Sequence, residues 1–146
     1  MTLSILIVTK NSGKVIEDTI AALHGLGDEL VIVDSESTDE TLKLIRRFTN
    51  KIFIHSFQSN FSELRNFGLS KVSGEWVLVL DTDERLSEQT KREIPNLIKS
   101  KTIDGYWFRR KTFIAPNRYL HYGLFYPDWQ LRLFQNKKEY RYIGAV

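Results

Sequence analysis

Three carboxylates, Asp81, Asp83 and Glu84, stand within four residues of one another, directly after the apolar run Trp76 to Leu80. Facing only each other they would repel, so their position at the end of a strand-like run points to solvent or to a bound cation held by oxygen ligands. A second polar set begins at Asp34, which closes "LVIV" and is followed by Ser35, Ser37 and Asp39. A strand-end aspartate is where α/β nucleotide folds bind ribose or base, and it is equally a common helix cap. Arg65 and Asn66, in "LRNFGL", precede the carboxylate run. A guanidinium there suits a phosphate, a carboxylate or a plain surface ion pair. Thr9, Lys10, Asn11 and Ser12 make a polar turn after the first apolar run, which fits a nucleotide pocket or the ordinary start of a helix.

The elements that must position these groups alternate. Short β-branched runs ("LSILIV", "LVIVD", "KIFIHSF", "EWVLVL") are separated by segments with apolar residues at helical spacing, such as Val15, Ile16, Thr19, Ile20 and Leu23. "SESTDETLKLIRRF" predicts a helix capped by Ser37 or Thr38 with Asp39 and Glu40 in its first turn, and "FSELRNFGLSKV" another. "SEQTKREIPNLIKS" predicts a further helix that Pro95 kinks or shortens. Such alternation implies an α/β fold with a mostly parallel sheet and ligands beyond the carboxyl ends of its strands. On an extended chain Asp81 and Asp83 would share one side.

With 146 residues, 42% of them hydrophobic, the chain reads as one domain with a sizeable core. The absence of cysteine excludes a disulfide scaffold, a thiolate zinc site and a cysteine nucleophile, and fits a reducing, cytoplasmic setting. No run approaches the roughly 20 apolar residues of a membrane span. Net charge +3 and pI 9.1 favour anionic partners. "TKNSGKV" is not a P-loop, because Val8 stands where the first glycine is needed and Val15 where Ser or Thr would bind magnesium. Nor is there a G-x-G-x-x-G turn for a nicotinamide or flavin. "LDTDE" as an aspartyl-phosphate phosphatase motif fails at Arg85 and lies on the fourth strand rather than the first. His24, His55 and His121 lack metal-ligand spacing.

"SILIVTKNSGKVIEDTIAAL", "DELVIVDSESTDET" and "LRNFGLSKVSGEWVLVLDTDE" together resemble a family 2 glycosyltransferase of the GT-A fold. More narrowly, they are similar to the branch that includes the lipopolysaccharide-core glucosyltransferases, which reads "TKN" in the first turn and "DADE" at the metal site. The match is close from Leu3 to Arg85 and looser through "YPDWQLRLF". The resemblance implies a Rossmann-like GT-A domain with helices on both faces of the sheet, its nucleotide-sugar part spanning 1–103 and a partial acceptor-side part 104–146. It also implies that "DTDE" is a D-x-D motif binding Mg²⁺ or Mn²⁺ and a nucleotide sugar, UDP by family frequency. Asp83 is then assigned to the metal, Asp81 to ribose or metal, and Asp34 to the base. Thr9, Asn11 and Ser37 line the same pocket, and Arg65 approaches the phosphates or braces the motif.

Members of this type invert the anomeric centre with a general base, and the resemblance places Asp128 there, with Gln130 and Arg132 toward donor phosphate or acceptor; a surface carboxylate is the alternative. A GT-A domain is usually longer, so the chain reads as a fragment ending at Val146. From Tyr106 to Tyr142 aromatics mix with Arg and Lys, Asp128 and Glu139 being the only acids. That composition suits sugar rings, lipid-linked phosphates and peripheral contact with the cytoplasmic membrane face better than nucleic acid. The expected activity is transfer of a sugar to a hydroxyl of a cell-envelope or lipid-linked glycan. The rivals are a non-catalytic nucleotide-sugar-binding module and a nucleotidyltransferase, whose glycine-rich basic turn is missing from "TKNSGK".

Overall fold

A computed structural model describes residues 1–56, 60–115, 118–120 and 127–144. Of the sequence readings, those on His121, on the Phe57 end of the third strand, on Tyr126 of "YPDWQLRLF" and on Val146 lie outside these residues.

Six strands form one sheet in the order β3-β2-β1-β4-β8-β5, and a two-stranded ribbon, β6-β7, stands beside it. β1 (Leu3–Thr9), β2 (Glu29–Asp34), β3 (Ile52–Ile54) and β4 (Trp76–Asp81) run parallel. β5 (Gly105–Arg110) and β8 (Asp128–Gln135) are antiparallel to each other, and β8 is antiparallel to β4. β6 is Phe113–Ala115 and β7 Arg118–Tyr119. The parallel part is the expected α/β sheet, and the antiparallel extension is built from the aromatic, basic region that showed no periodicity.

Strand alternation sorts the apolar residues onto two buried faces, as a sheet covered on both sides requires. Leu3, Ile5, Ile7, Ile32, Trp76, Leu78 and Leu80 join one core with Ile16 and Ile20 of α1 (Ile16–Ala21), Ile45 of α2 (Thr41–Ile45) and Ile94 of α4 (Glu88–Leu97). Leu6, Val31, Val33, Val77 and Val79 join the other with Leu64 and Leu69 of α3 (Phe61–Leu69). Right-handed crossovers account for the split. The chain steps outward from β1 to β3 with α1 and α2 on one face, then returns past β2 and β1 to β4 with α3 on the other. The reversal leaves a switch point between the carboxyl ends of β1 and β4, where open α/β sheets bind ligands.

Two helices take side-chain caps: Asn60 accepts from Ser62 N at 2.8 Å, and Ser87 from Thr90 N at 3.1 Å. The cap expected from Ser37 or Thr38 does not form. Ser37 Oγ instead accepts from Asn11 N and Thr38 N donates to Asn11 Oδ1, each at 2.8 Å, so these residues tie two loops together and α2 starts only at Thr41. Pro95 neither breaks nor shortens its helix at once, since α4 runs two residues past it to Leu97.

Candidate functional site

The carboxyl ends of β1, β2 and β4 adjoin one another, because Thr9 pairs in register with Asp34 and Val8 with Asp81. Asp34 is fully buried, and its Oδ1 accepts from Ser37 N at 2.8 Å. Among the described residues its Oδ2 has no partner, and the same holds for the buried Thr9 Oγ1 and Ser35 Oγ. Buried oxygens are almost always hydrogen-bonded, so three orphans at adjacent strand ends mark a place that a polar ligand or ordered water completes. Asn11, in the left-handed region at φ 48°, joins the β1–α1 turn to the β2–α2 turn through Ser37 and Thr38. Asn11 and Ser37 therefore tie the two loops to each other, and Ser37 joins them to Asp34.

The question posed by the three carboxylates is answered by arginines. Asp81 Oδ1 accepts from Arg65 Nη2 at 2.9 Å and Oδ2 from Arg132 Nη2 at 2.8 Å. Arg132 also donates to Glu84 Oε1, and Glu84 Oε2 accepts from Asp81 N at 3.2 Å. Both guanidiniums are buried, Arg65 on the inward face of α3 and Arg132 on β8. Burial pushes the Asp81 carboxyl up, but the Arg132 and Arg65 charges outweigh it and hold it below the usual carboxylate range. Burial likewise opposes the Arg132 charge, and Glu84 and Asp81 outweigh that, raising its pKa. Tyr142 lies under Arg65, ring centroid 5.3 Å from the guanidinium carbon, and its buried hydroxyl is pushed up.

β4 ends at Asp81, and Thr82 and Asp83 form a turn, so strand alternation does not carry on to align Asp81 with Asp83. Asp83 is exposed. The turn is tied to α1 instead: Thr82 O accepts from Thr19 Oγ1, and Arg85 donates to Thr19 Oγ1 and to Val15 O. Among the described residues no group of three or more His, Asp or Glu side chains converges as a cage for a metal. With Asp81 committed to two guanidiniums, the residues present would fit a cation that takes one carboxylate from the protein, that of the exposed Asp83. Magnesium is often bound this way, through one or two carboxylates plus substrate phosphates.

On the far side Asp128 opens β8 and pairs in register with Arg110 on β5. Arg110 Nε and Nη2 both reach Asp128 Oδ2 at 2.7 Å, and Gln130 Nε2 reaches Oδ1 at 2.7 Å. Arg110 Nη1 also lies 3.5 Å from Glu84 Oε1. The sequence reading gave Glu84 no role of its own beyond the carboxylate run and left Arg110 out, and only the antiparallel β5–β8 register would have brought Arg110 to Asp128. Asn66 holds the Tyr142 backbone through its amide, at 3.0 and 2.9 Å.

The model for glycosyl transferase family 2 matches residues 4–145, and the chain belongs to this family. An uncharacterized glycosyltransferase of Rickettsia bellii (strain RML369-C) is 28% identical over 145 residues, 99% of this chain and 49% of the relative. The poly(ribitol-phosphate) beta-N-acetylglucosaminyltransferase TarS of Staphylococcus aureus (strain Mu50 / ATCC 700699) is 29% identical over 125 residues, 72% of this chain and 22% of the relative. The crystal structure of S. aureus TarS 1-349 in complex with UDP-GlcNAc superposes with a TM-score of 0.57 and 26% identity, over 68% of this chain and 31% of that one. This chain thus spans about half the length of the R. bellii relative and less of TarS.

Proposed function

We propose that this family 2 domain binds a nucleoside-diphosphate sugar, with uridine as the nucleoside, across the ends of β1, β2 and β4, and transfers the sugar with inversion to a hydroxyl of a cell-envelope or lipid-linked glycan. The observation that carries the reading is the set of unpartnered buried oxygens, Thr9 Oγ1, Asp34 Oδ2 and Ser35 Oγ, at the switch point of the sheet. A pyrimidine and ribose offer the N–H and O–H donors these acceptors lack. TarS, a similar protein, is named for an N-acetylglucosaminyl transfer to poly(ribitol-phosphate) and has been solved with UDP-GlcNAc, which supports a uridine donor and an envelope polymer as acceptor.

Within this reading Asp34, with Thr9, accepts hydrogen bonds from the base, and Asn11 and Ser37 hold the rim. Asp81, fixed by Arg65 and Arg132, faces the ribose, and Asp83 ligates Mg²⁺ or Mn²⁺. Such a cation, when bound with the donor, neutralises charge on the departing diphosphate. Asp128 accepts the proton of the acceptor hydroxyl as that oxygen attacks, its remaining lone pairs lying outside the bonds from Arg110 and Gln130. Exposed Trp107, Phe113, Ile114 and Trp129, interleaved with exposed Arg109, Lys111 and Arg118, support an acceptor presented at an anionic lipid surface. Among the described residues no helix is long and apolar enough to cross a membrane.

One observation favours a binding-only module: Asp128 is already paired with a guanidinium. Titration calorimetry of UDP and UDP-glucose with manganese and with chelator, on the wild type and Asp83→Asn, tests the donor site. Metal-dependent binding lost in Asp83→Asn is the expected result, and absence of nucleotide binding overturns the proposal. Release of UDP from UDP-glucose, measured beside it, separates enzyme from module.

A further inference from the structure

The β4–β8 ladder pairs Trp76 with Gln135, Val77 with Phe134 and Leu78 with Leu133. Toward the carboxyl end of β4 the side chains of β8 take over the connection: Arg132 reaches Asp81 Oδ2 and Glu84 Oε1 from one nitrogen, Nη2. Glu84 then lies 3.5 Å from Arg110, and Arg110 holds Asp128 at 2.7 Å. The chain Asp81, Arg132, Glu84, Arg110, Asp128 therefore spans from the end of a parallel strand to the start of an antiparallel one, alternating in charge at every step. We propose that Arg132 is a positioning residue for the transfer reaction, setting the separation between the donor-side carboxylate Asp81 and the acceptor-side carboxylate Asp128; the inference rests on the donor and acceptor roles assigned above.

Stability alone does not account for an arginine at this position. A buried ion pair is often matched or bettered by a well-packed apolar side chain of similar volume, because its desolvation cost offsets its attraction. Arg132 is 6% exposed, and its Nε is buried with no partner among the described residues, a further cost that an apolar residue would not carry. What an apolar residue cannot do is hold two carboxylates in one geometry. Asp81 has a second guanidinium in Arg65, and Glu84 has Arg110, so replacing Arg132 strands neither carboxylate. The substitution Arg132→Met should therefore leave the fold standing while loosening the link between the two sides.

Misplacing a reacting group by about 1 Å can cost on the order of 100-fold in rate. Kd for UDP by calorimetry, kcat and KM for release of UDP from UDP-glucose, and Tm are measured for the wild type, Arg132→Met, Arg132→Lys, Glu84→Gln and the Arg132→Met/Glu84→Gln double variant. The expected result is kcat lowered on the order of 100-fold in Arg132→Met with a much smaller loss of UDP affinity, since Arg65 still holds Asp81. Partial recovery is expected in Arg132→Lys, with a double variant no slower than the slower single one, as for residues acting as one unit. Unchanged kcat in Arg132→Met overturns the inference alone. So does a loss that tracks Tm across the variants, or one matched by an equal loss of UDP affinity. A wild-type protein that binds no UDP, or binds it and releases none from UDP-glucose, overturns the transfer reading and this inference with it.

Discussion

Asp34→Asn isolates the group on which the proposed donor recognition turns. The amide is nearly isosteric with the carboxylate, and its oxygen can still accept from Ser37 N, the bond that Asp34 Oδ1 makes at 2.8 Å. What changes is the other atom: an NH₂ donor replaces Oδ2, the acceptor without a partner among the described residues. If a base or ribose group donates to that oxygen, the substitution removes a hydrogen bond to a carboxylate, worth about 1.5–3 kcal/mol. At 1.4 kcal/mol per tenfold, UDP affinity falls by roughly 10- to 150-fold. Calorimetric titration of UDP reads this directly, and thermal unfolding of the free protein runs beside it. Ser35→Ala gives the complementary reading, since removing an unpartnered hydroxyl should leave the free protein as stable or more stable while weakening UDP binding. UDP binding by Asp34→Asn within twofold of wild type refutes the assignment of the orphaned oxygens to the donor.

Two further predictions concern the scaffold. Burial pushes the Glu29 carboxyl up, but Lys51, Ser4 and Ser73 hold it at about 2 against an ordinary 4.5, and a depressed carboxylate stabilises the fold above its unfolded value and loses that contribution as pH falls toward its folded one. Lys51 is half exposed, so solvent screens the pair, and Glu29→Gln should lower stability at neutral pH by about 1 kcal/mol and flatten the decline between about pH 4.5 and 2 in urea titrations. Gly68→Val should destabilise by about 2 kcal/mol or more, because a Cβ there would sit 2.5 Å from Leu6 Cδ1 and 3.1 Å from Val33 Cγ2 in a core with no slack; a Tm equal to wild type would show that α3 can shift to make room.

How legible the molecule was depended on the range of the interactions. The parallel half could be read because each strand carries its own signal: Ile5 and Ile7 against Leu6, or Val77 and Val79 against Leu78, sort onto opposite faces by alternation alone. Asp34 could be placed at a strand end for the same reason. The β5–β8 pair was not legible, since Trp107, Arg109 and Arg110 are exposed and give no alternation, and the β5 register shifts between Tyr106 and Trp107. With that pairing unseen, the partner of Asp128 was unseen too.

The D-x-D turn shows the limit most directly. A local reading sees three acids and asks for a cation. The fold meets Asp81 with Arg65, sixteen residues earlier, and with Arg132, fifty-one residues later, and neither separation has a period that sequence inspection can detect. Before any donor arrives, these guanidiniums hold Asp81 ionised and aimed, so its orientation is already fixed by the protein. Preorganisation of that kind is what a site needs when the charge it must meet develops only during reaction. In the proposed donor complex the exposed Asp83, two residues on, is the carboxylate that meets the cation. Two aspartates that look equivalent in the sequence are thereby given different work by their surroundings: one holds geometry and the other is available for coordination. Asp83→Asn should accordingly abolish metal-dependent binding while Asp81, still held by both arginines, keeps its place.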